Sequence, residues 1–133
     1  GRPLITLKEI CGKWNCMMTV TSEVSEGEQT RILLTEAEVT ASDDTVKLLM
    51  HLKEKIDYMT SSPNDKNFEK PEQDVLMTYN GSWDELMGYI NTSSQNSDLG
   101  IQLKDFVEVS GKQYAIGVLY NGDIDVGEVL MVR

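Results

Sequence analysis

The last third of the chain alternates apolar and polar residues through three consecutive runs, each separated from the next by a tight-turn signal. Ile101, Leu103, Asp105, Val107 and Val109 share one parity against Gln102, Lys104, Phe106 and Glu108. Ser110-Gly111-Lys112 breaks this run. Tyr114, Ile116, Val118 and Tyr120 form the next stripe, and Asn121-Gly122-Asp123 precedes Ile124, Val126, Leu130 and Val132. Side chains on a strand point to alternate faces, so a period of two predicts half-buried strands. Turns this short oblige the strands they join to run antiparallel. The result is a three-strand meander.

The same reading extends toward the amino terminus. Leu7-Lys8-Glu9-Ile10-Cys11 predicts a short helical turn, and Gly12-Lys13-Trp14 opens the first strand. Trp14, Cys16, Met18 and Val20 face one way there, with Met17, Thr19 and Thr21 facing the other. Arg31 to Ala41 alternates again, with Leu33, Thr35, Ala37, Val39 and Ala41 on one side, and Ser42-Asp43-Asp44-Thr45 supplies a hairpin break. Val46 to Tyr58 fits a strand through Val46, Leu48, Met50 and Leu52. It also fits a helix through Leu49, Leu52, Ile56 and Met59, and the short turn before it favours the strand. Ser61 to Gln73, rich in charge and holding Pro63 and Pro71, reads as an exposed loop. Asp74 to Tyr79 reads as a short strand ended by an Asn80-Gly81 turn, Trp83 to Ile90 as a strand or capped helical turn, and Thr92 to Asp98 as a polar loop. About eight short strands with no long crossover predict an all-β, up-and-down barrel or a sandwich. The 133 residues suffice for a single domain, 1–133. Gly1-Arg2-Pro3 reads as a processing scar outside the fold.

Composition narrows the function. Apolar residues make up 40% and charged residues 26%, which is ordinary for a globular chain, and the formal net charge is −10. An acidic surface repels nucleic-acid backbones and anionic lipid, so neither nucleic acid nor membrane is an expected partner. No apolar run approaches the roughly 18 residues that span a bilayer. Any signal peptide is expected to have been removed already, and the location expected is secreted or periplasmic. Cys11 and Cys16 fit either a short-loop disulfide or two buried thiols. Asn80-Gly81-Ser82 and Asn91-Thr92-Ser93 match the N-glycosylation tripeptide.

A helical turn, Gly12-Lys13-Trp14 on the first strand, the meander and a terminal Arg133 together resemble the calycin superfamily, lipocalin-like proteins in particular. The resemblance implies a closed barrel with Trp14 across its floor and Arg133 packed on the indole, a contact worth about 1 kcal/mol when partly shielded. It also implies a small apolar or amphipathic molecule as ligand. A second stretch, Val75 to Gly117, with Tyr79-Asn80-Gly81-Ser82 and Leu99 to Asp105, is similar to the middle of chaperone–usher pilin subunits. That likeness implies instead an incomplete sandwich acting as an assembly or inhibitory module through its strand edges and loops.

No catalytic constellation stands out, so the chain reads as a binding protein rather than an enzyme, without metal or cofactor. The lone His51 falls on an outward face beside Lys47 and Lys53, with no positioned partner for acid–base work. Asp43-Asp44 and Asp123-x-Asp125 match no calcium loop. With Trp14 facing in, the expected ligand-lining residues are Met18, Val20, Val39, Met50, Met77, Tyr79, Leu103, Tyr114 and Ile116, with Leu33, Ile101, Val107 and Val118 on the same faces. Methionine adapts to irregular guests and tyrosine offers an apolar wall with a polar tip. The same residues serve equally well as plain core, since an eight-strand barrel is just wide enough to be filled or to hold one small ligand. Asp105 sits on the apolar face of its run. Either it is buried and needs a partner, or a bulge turns it to solvent and Phe106 takes its place.

Overall fold

The computed structural model describes residues 1–4 and 6–133. A two-residue strand, β1 (Arg2–Pro3), and a one-turn helix, α1 (Leu7–Ile10), precede β2 (Gly12–Val24), β3 (Gly27–Ser42) and β4 (Thr45–Met59). They are followed by β5 (Asn67–Glu69), β6 (Leu76–Asp84), β7 (Tyr89–Ser94), β8 (Leu99–Val109), β9 (Lys112–Asn121) and β10 (Ile124–Val132). Hydrogen bonding runs round the ring β2-β3-β4-β6-β7-β8-β9-β10, and β10 returns to β2. Every pairing is antiparallel, so the meander closes into an eight-strand up-and-down barrel. Closure leaves no open sandwich for a donated strand to complete, and the incomplete-sandwich reading gives way here.

The segment with two readings is a strand. β4 spans Thr45–Met59 and pairs with β3 along nearly its whole length, as the short Asp43-Asp44 turn demands. Four other expectations are corrected. Asn80-Gly81 lies inside β6, where it pairs with Thr92 and Ser93 of β7. A Cβ at Gly81 would stand 1.7 Å from the Asn91 carbonyl oxygen, so the glycine answers a close approach of two backbones, not a turn. The chain reverses instead at Glu85–Gly88, and β7 takes in residues 92–94, which read as loop. Within the expected 61–73 loop, Asn67–Glu69 adds a strand to the part of β4 that β6 does not cover. Arg2 and Pro3 belong to the fold, pairing with Glu108 and Val107 on the part of the β8 edge that β7 leaves free.

Bulges decide which face each side chain takes. Register shifts fall at Leu34/Thr35 in the β3–β4 pairing, at Leu103/Asp105 in β8–β9 and at Asp125/Gly127 in β10–β9. The second shift turns Asp105 to solvent and brings Phe106 inside at 6% exposure, so no carboxylate is buried there. Beyond it Val107 faces out. The inner faces of all eight barrel strands supply one core, including Trp14, Met18, Val39, Leu48, Met50, Ile101, Leu103, Leu119, Val129 and Met131.

Candidate functional site

The barrel has one sealed end. Gly12, at φ +115°, turns the chain from α1 into β2, a conformation that favours glycine. A capping box at Thr6 and Glu9 starts the helix, with the Thr6 hydroxyl accepting from the Glu9 N–H and the Glu9 carboxylate accepting from the Thr6 N–H. Trp14 is 3% exposed and donates its indole N–H to the Ile10 carbonyl at 2.9 Å. The Arg133 guanidinium lies 3.9 Å from the indole centroid. It donates to the carbonyls of Cys11 and Glu9 and to the Gln113 side chain. The helix is thereby tied down at carbonyls that its own single turn leaves without partners. Burial lowers the Arg133 pKa, and the stacked geometry, with one acceptor for each guanidinium nitrogen, is what holds the charge there.

Above this floor the interior is filled with side chains. Five of the expected lining residues, Met18, Val39, Met50, Tyr79 and Leu103, point inward and are at most 2% exposed. They belong to one contiguous buried core with almost no accessible surface. Two more, Val20 and Met77, point inward but are only half-buried. Tyr114 and Ile116 are corrected: both lie on the outer wall, Ile116 at 44% exposure, together with Val118. β9 carries apolar side chains on both faces, so its alternation had no unique phase. The inward set is Ala115, Gly117 and Leu119. A Cβ at Gly117 would lie 2.0 Å from the Gln102 carbonyl oxygen, which leaves no room there for a larger residue.

The other end is open and unlike the floor. β2, β3 and β4 run on past β10 and β6, to Val24, back from Gly27, and up to Met59. Half-buried Val20, Leu33, Met77, Leu99 and Val126 pack on the top of the core and form a shallow apolar layer. Leu33 and Leu99 were within reach of strand alternation. The layer itself was not, because it depends on how far each strand overshoots its neighbours.

Charge crowns this layer on the extended strands. Arg31 is the register partner of both Val20 and Asp57, and its guanidinium grips the Asp57 carboxylate at 2.7 and 3.0 Å. That hydrogen bond holds the Asp57 carboxyl below the usual carboxylate range and raises Arg31. Lys55, opposite Leu33, reaches Glu69 of β5 at 3.6 Å. An apolar layer beneath two ion pairs suits a molecule with an oily end and a polar head. Deeper in, the Thr35 hydroxyl is buried and faces Cys16 directly across the β2–β3 pairing. Burial pushes the Cys16 thiol up to about 11, and hydrogen bonding with the Thr35 side chain opposes that rise. Cys11 and Cys16 are both free thiols. His51 is exposed on the outer wall, and among the described residues no cluster of three or more His, Cys, Asp or Glu side chains could hold a metal.

This architecture, a closed antiparallel barrel with one sealed and one open end, is consistent with a lipocalin-like fold. No family model, curated protein or solved structure matches the chain.

Proposed function

We propose that this is a non-catalytic, lipocalin-like binding protein, secreted or periplasmic, that takes a small amphipathic molecule at the open end of its barrel. The observation that carries the reading is the half-buried layer of Val20, Leu33, Met77, Leu99 and Val126 beneath the Arg31–Asp57 pair. Apolar surface left uncovered there gains free energy when a ligand removes it from water, about 25 cal/mol per Å2. Methionine at position 77 lets the layer follow an irregular guest. The core below is filled, so the ligand rests on the barrel's contents rather than sinking among them.

Titration with fluorescent apolar probes bearing a polar head tests this. One-to-one saturable binding is expected, with a rise in melting temperature that grows with probe concentration. Leu33→Arg should abolish both while preserving the fold. Absence of saturable binding across the probe panel, or binding that Leu33→Arg leaves intact, sinks the proposal.

A further inference from the structure

The outer wall of the barrel is not uniformly polar. Leu34 of β3 pairs with Met17 of β2, Met17 with Leu130 of β10, and Leu130 with Ile116 of β9. All four face outward, so they form one continuous apolar row across four adjacent strands. Strand spacing makes the row about 14 Å long. Val132 and Tyr114 extend it on one side and Val118 on the other, again as register partners or near neighbours. Met17 is 38% exposed and Ile116 44%. Two grooves meet at Met17 and Leu130, one of about 740 Å3 toward Ile116 and Val118, the other of about 430 Å3 toward Leu34 and Val132. Next to it on the outer wall, β4 and β6 present a mixed face: Lys47, Leu49 and His51 opposite Asn80, Thr78 and Leu76.

The rim of this strip is acidic. Glu54 pairs with Leu34 at one end of the row, and Asp105 pairs with Ile116 at the other. Glu128 stands between Thr19 and Val118, and Asp125 borders the larger groove. Glu36 borders the smaller groove with Lys53 at 3.7 Å, and Lys104 is the bulge residue beside Asp105. Five carboxylates against two ammonium groups leave the rim negative, in a chain whose net charge is already −10.

We propose that this strip is a docking surface for a basic amphipathic helix of a partner protein, its apolar stripe on Met17, Leu34, Leu130 and Ile116 and its lysines or arginines on the rim. An α-helix rises about 5.4 Å per turn, so about two and a half turns of it would cover the row. Lysine and arginine flanks also lower the cost of bringing a partner to so acidic a surface. A second copy of this chain offers the same carboxylates, and an anionic membrane offers like charge. Charge therefore selects the cationic partner over both. The larger groove reaches as far as Val126 of the open-end layer, but docking centred on Met17 and Leu130 does not require a ligand there.

The probe is a synthetic helical peptide of about five turns, leucine on one face and lysine on the other, followed by fluorescence anisotropy against the intact protein. Saturable one-to-one binding is expected, weakening with salt and weakening about tenfold or more in Met17→Ser/Ile116→Ser. The charge-neutral control Leu86→Ser/Met87→Ser, at the exposed 85–88 turn, should bind as the parent does. Amide shift perturbations in the unaltered protein should concentrate on β2, β3, β9 and β10, a readout independent of any variant's folding. Equal affinities of the two variants, or perturbations centred elsewhere, overturn the proposal. So does a concentration-dependent dimer that Met17→Ser/Ile116→Ser dissolves, which would assign the strip to a second copy. Partition of the protein onto vesicles through these residues would overturn it as well.

Discussion

The two ends of the barrel are built from the same strands and behave oppositely. At the Trp14 end, α1, β1 and the terminal Arg133 converge, and each polar group brought inside meets a partner: the indole N–H on Ile10, the guanidinium on two carbonyls and Gln113. At the open end β2, β3 and β4 overshoot their neighbours, and apolar residues of the inward face stay half in water beneath ion pairs. The contrast separates residues that hold the barrel from residues free to meet something else. A sealed floor has its binding capacity used up internally; an unsealed layer does not.

The largest test of that contrast is truncation on each side. Trp14→Ala should cost about 3–5 kcal/mol, read as the fall in denaturation midpoint, because it opens a cavity, removes the indole donor from the Ile10 carbonyl and takes away the ring on which the guanidinium stacks. Val20→Ala, at the half-buried layer, should cost less than about 1.5 kcal/mol while lowering probe affinity. Equal losses at the two positions would mean that the open end is as structural as the floor.

A second test uses pH. Cys16 is neutral and buried, its folded pKa pushed up to about 11 from 9.0. Its contribution is therefore fully present below pH 9 and lost as pH rises from there toward 11, since the unfolded chain ionises first. The loss should approach about 2–3 kcal/mol, and Cys16→Ala should flatten that part of the stability profile. Burial also raises Tyr79, which works in the same direction at higher pH. A profile unchanged by Cys16→Ala between pH 9 and 11 would refute the burial of that thiol.

The smallest effect belongs to the open end's ion pair. Asp57 has a depressed pKa, so its contribution is present above the unfolded carboxyl value near about 3.9 and disappears as pH falls through the lower folded value. Both partners keep some exposure, 44% for Arg31 and 15% for Asp57, so solvent screening limits the gain. Asp57→Asn should destabilise by less than about 1 kcal/mol at neutral pH, and polar-headed probes should bind differently to it. A large stability loss would move this pair from the rim of a site into the framework.

Much of the barrel was legible because strand pairing is written in short-range terms. Trp14, Cys16, Met18 and Val20 on β2, and Leu33, Thr35, Ala37 and Val39 on β3, form inward stripes whose phase the sequence assigned correctly, although Met17 and Leu34 are apolar on the other face. Asp105 offered two readings, and the bulge chose the one that spares a buried carboxylate. Tyr114 and Ile116 were misplaced because β9 is apolar on both sides; only Gly117, pressed against the β8 backbone, selects the inward set. Asn80-Gly81 carries a turn signal, but a dipeptide cannot show that another strand passes close enough to require glycine. The open-end layer and the outer strip were out of reach for a related reason: both depend on where several strands stop relative to one another.

Alternation and tight turns, which act between neighbours in the chain, determined most of the strands and their antiparallel order, while Trp14 and Arg133 at the floor followed from the resemblance to lipocalin-like proteins. Only the tertiary structure decided which apolar residues stay uncovered. Three bulges, the overshoot of β2 to β4 and the approach of backbones at Gly81 and Gly117 set the phase of each strand against the others. That phase is a property of the closed ring, in which every strand must satisfy two partners at once.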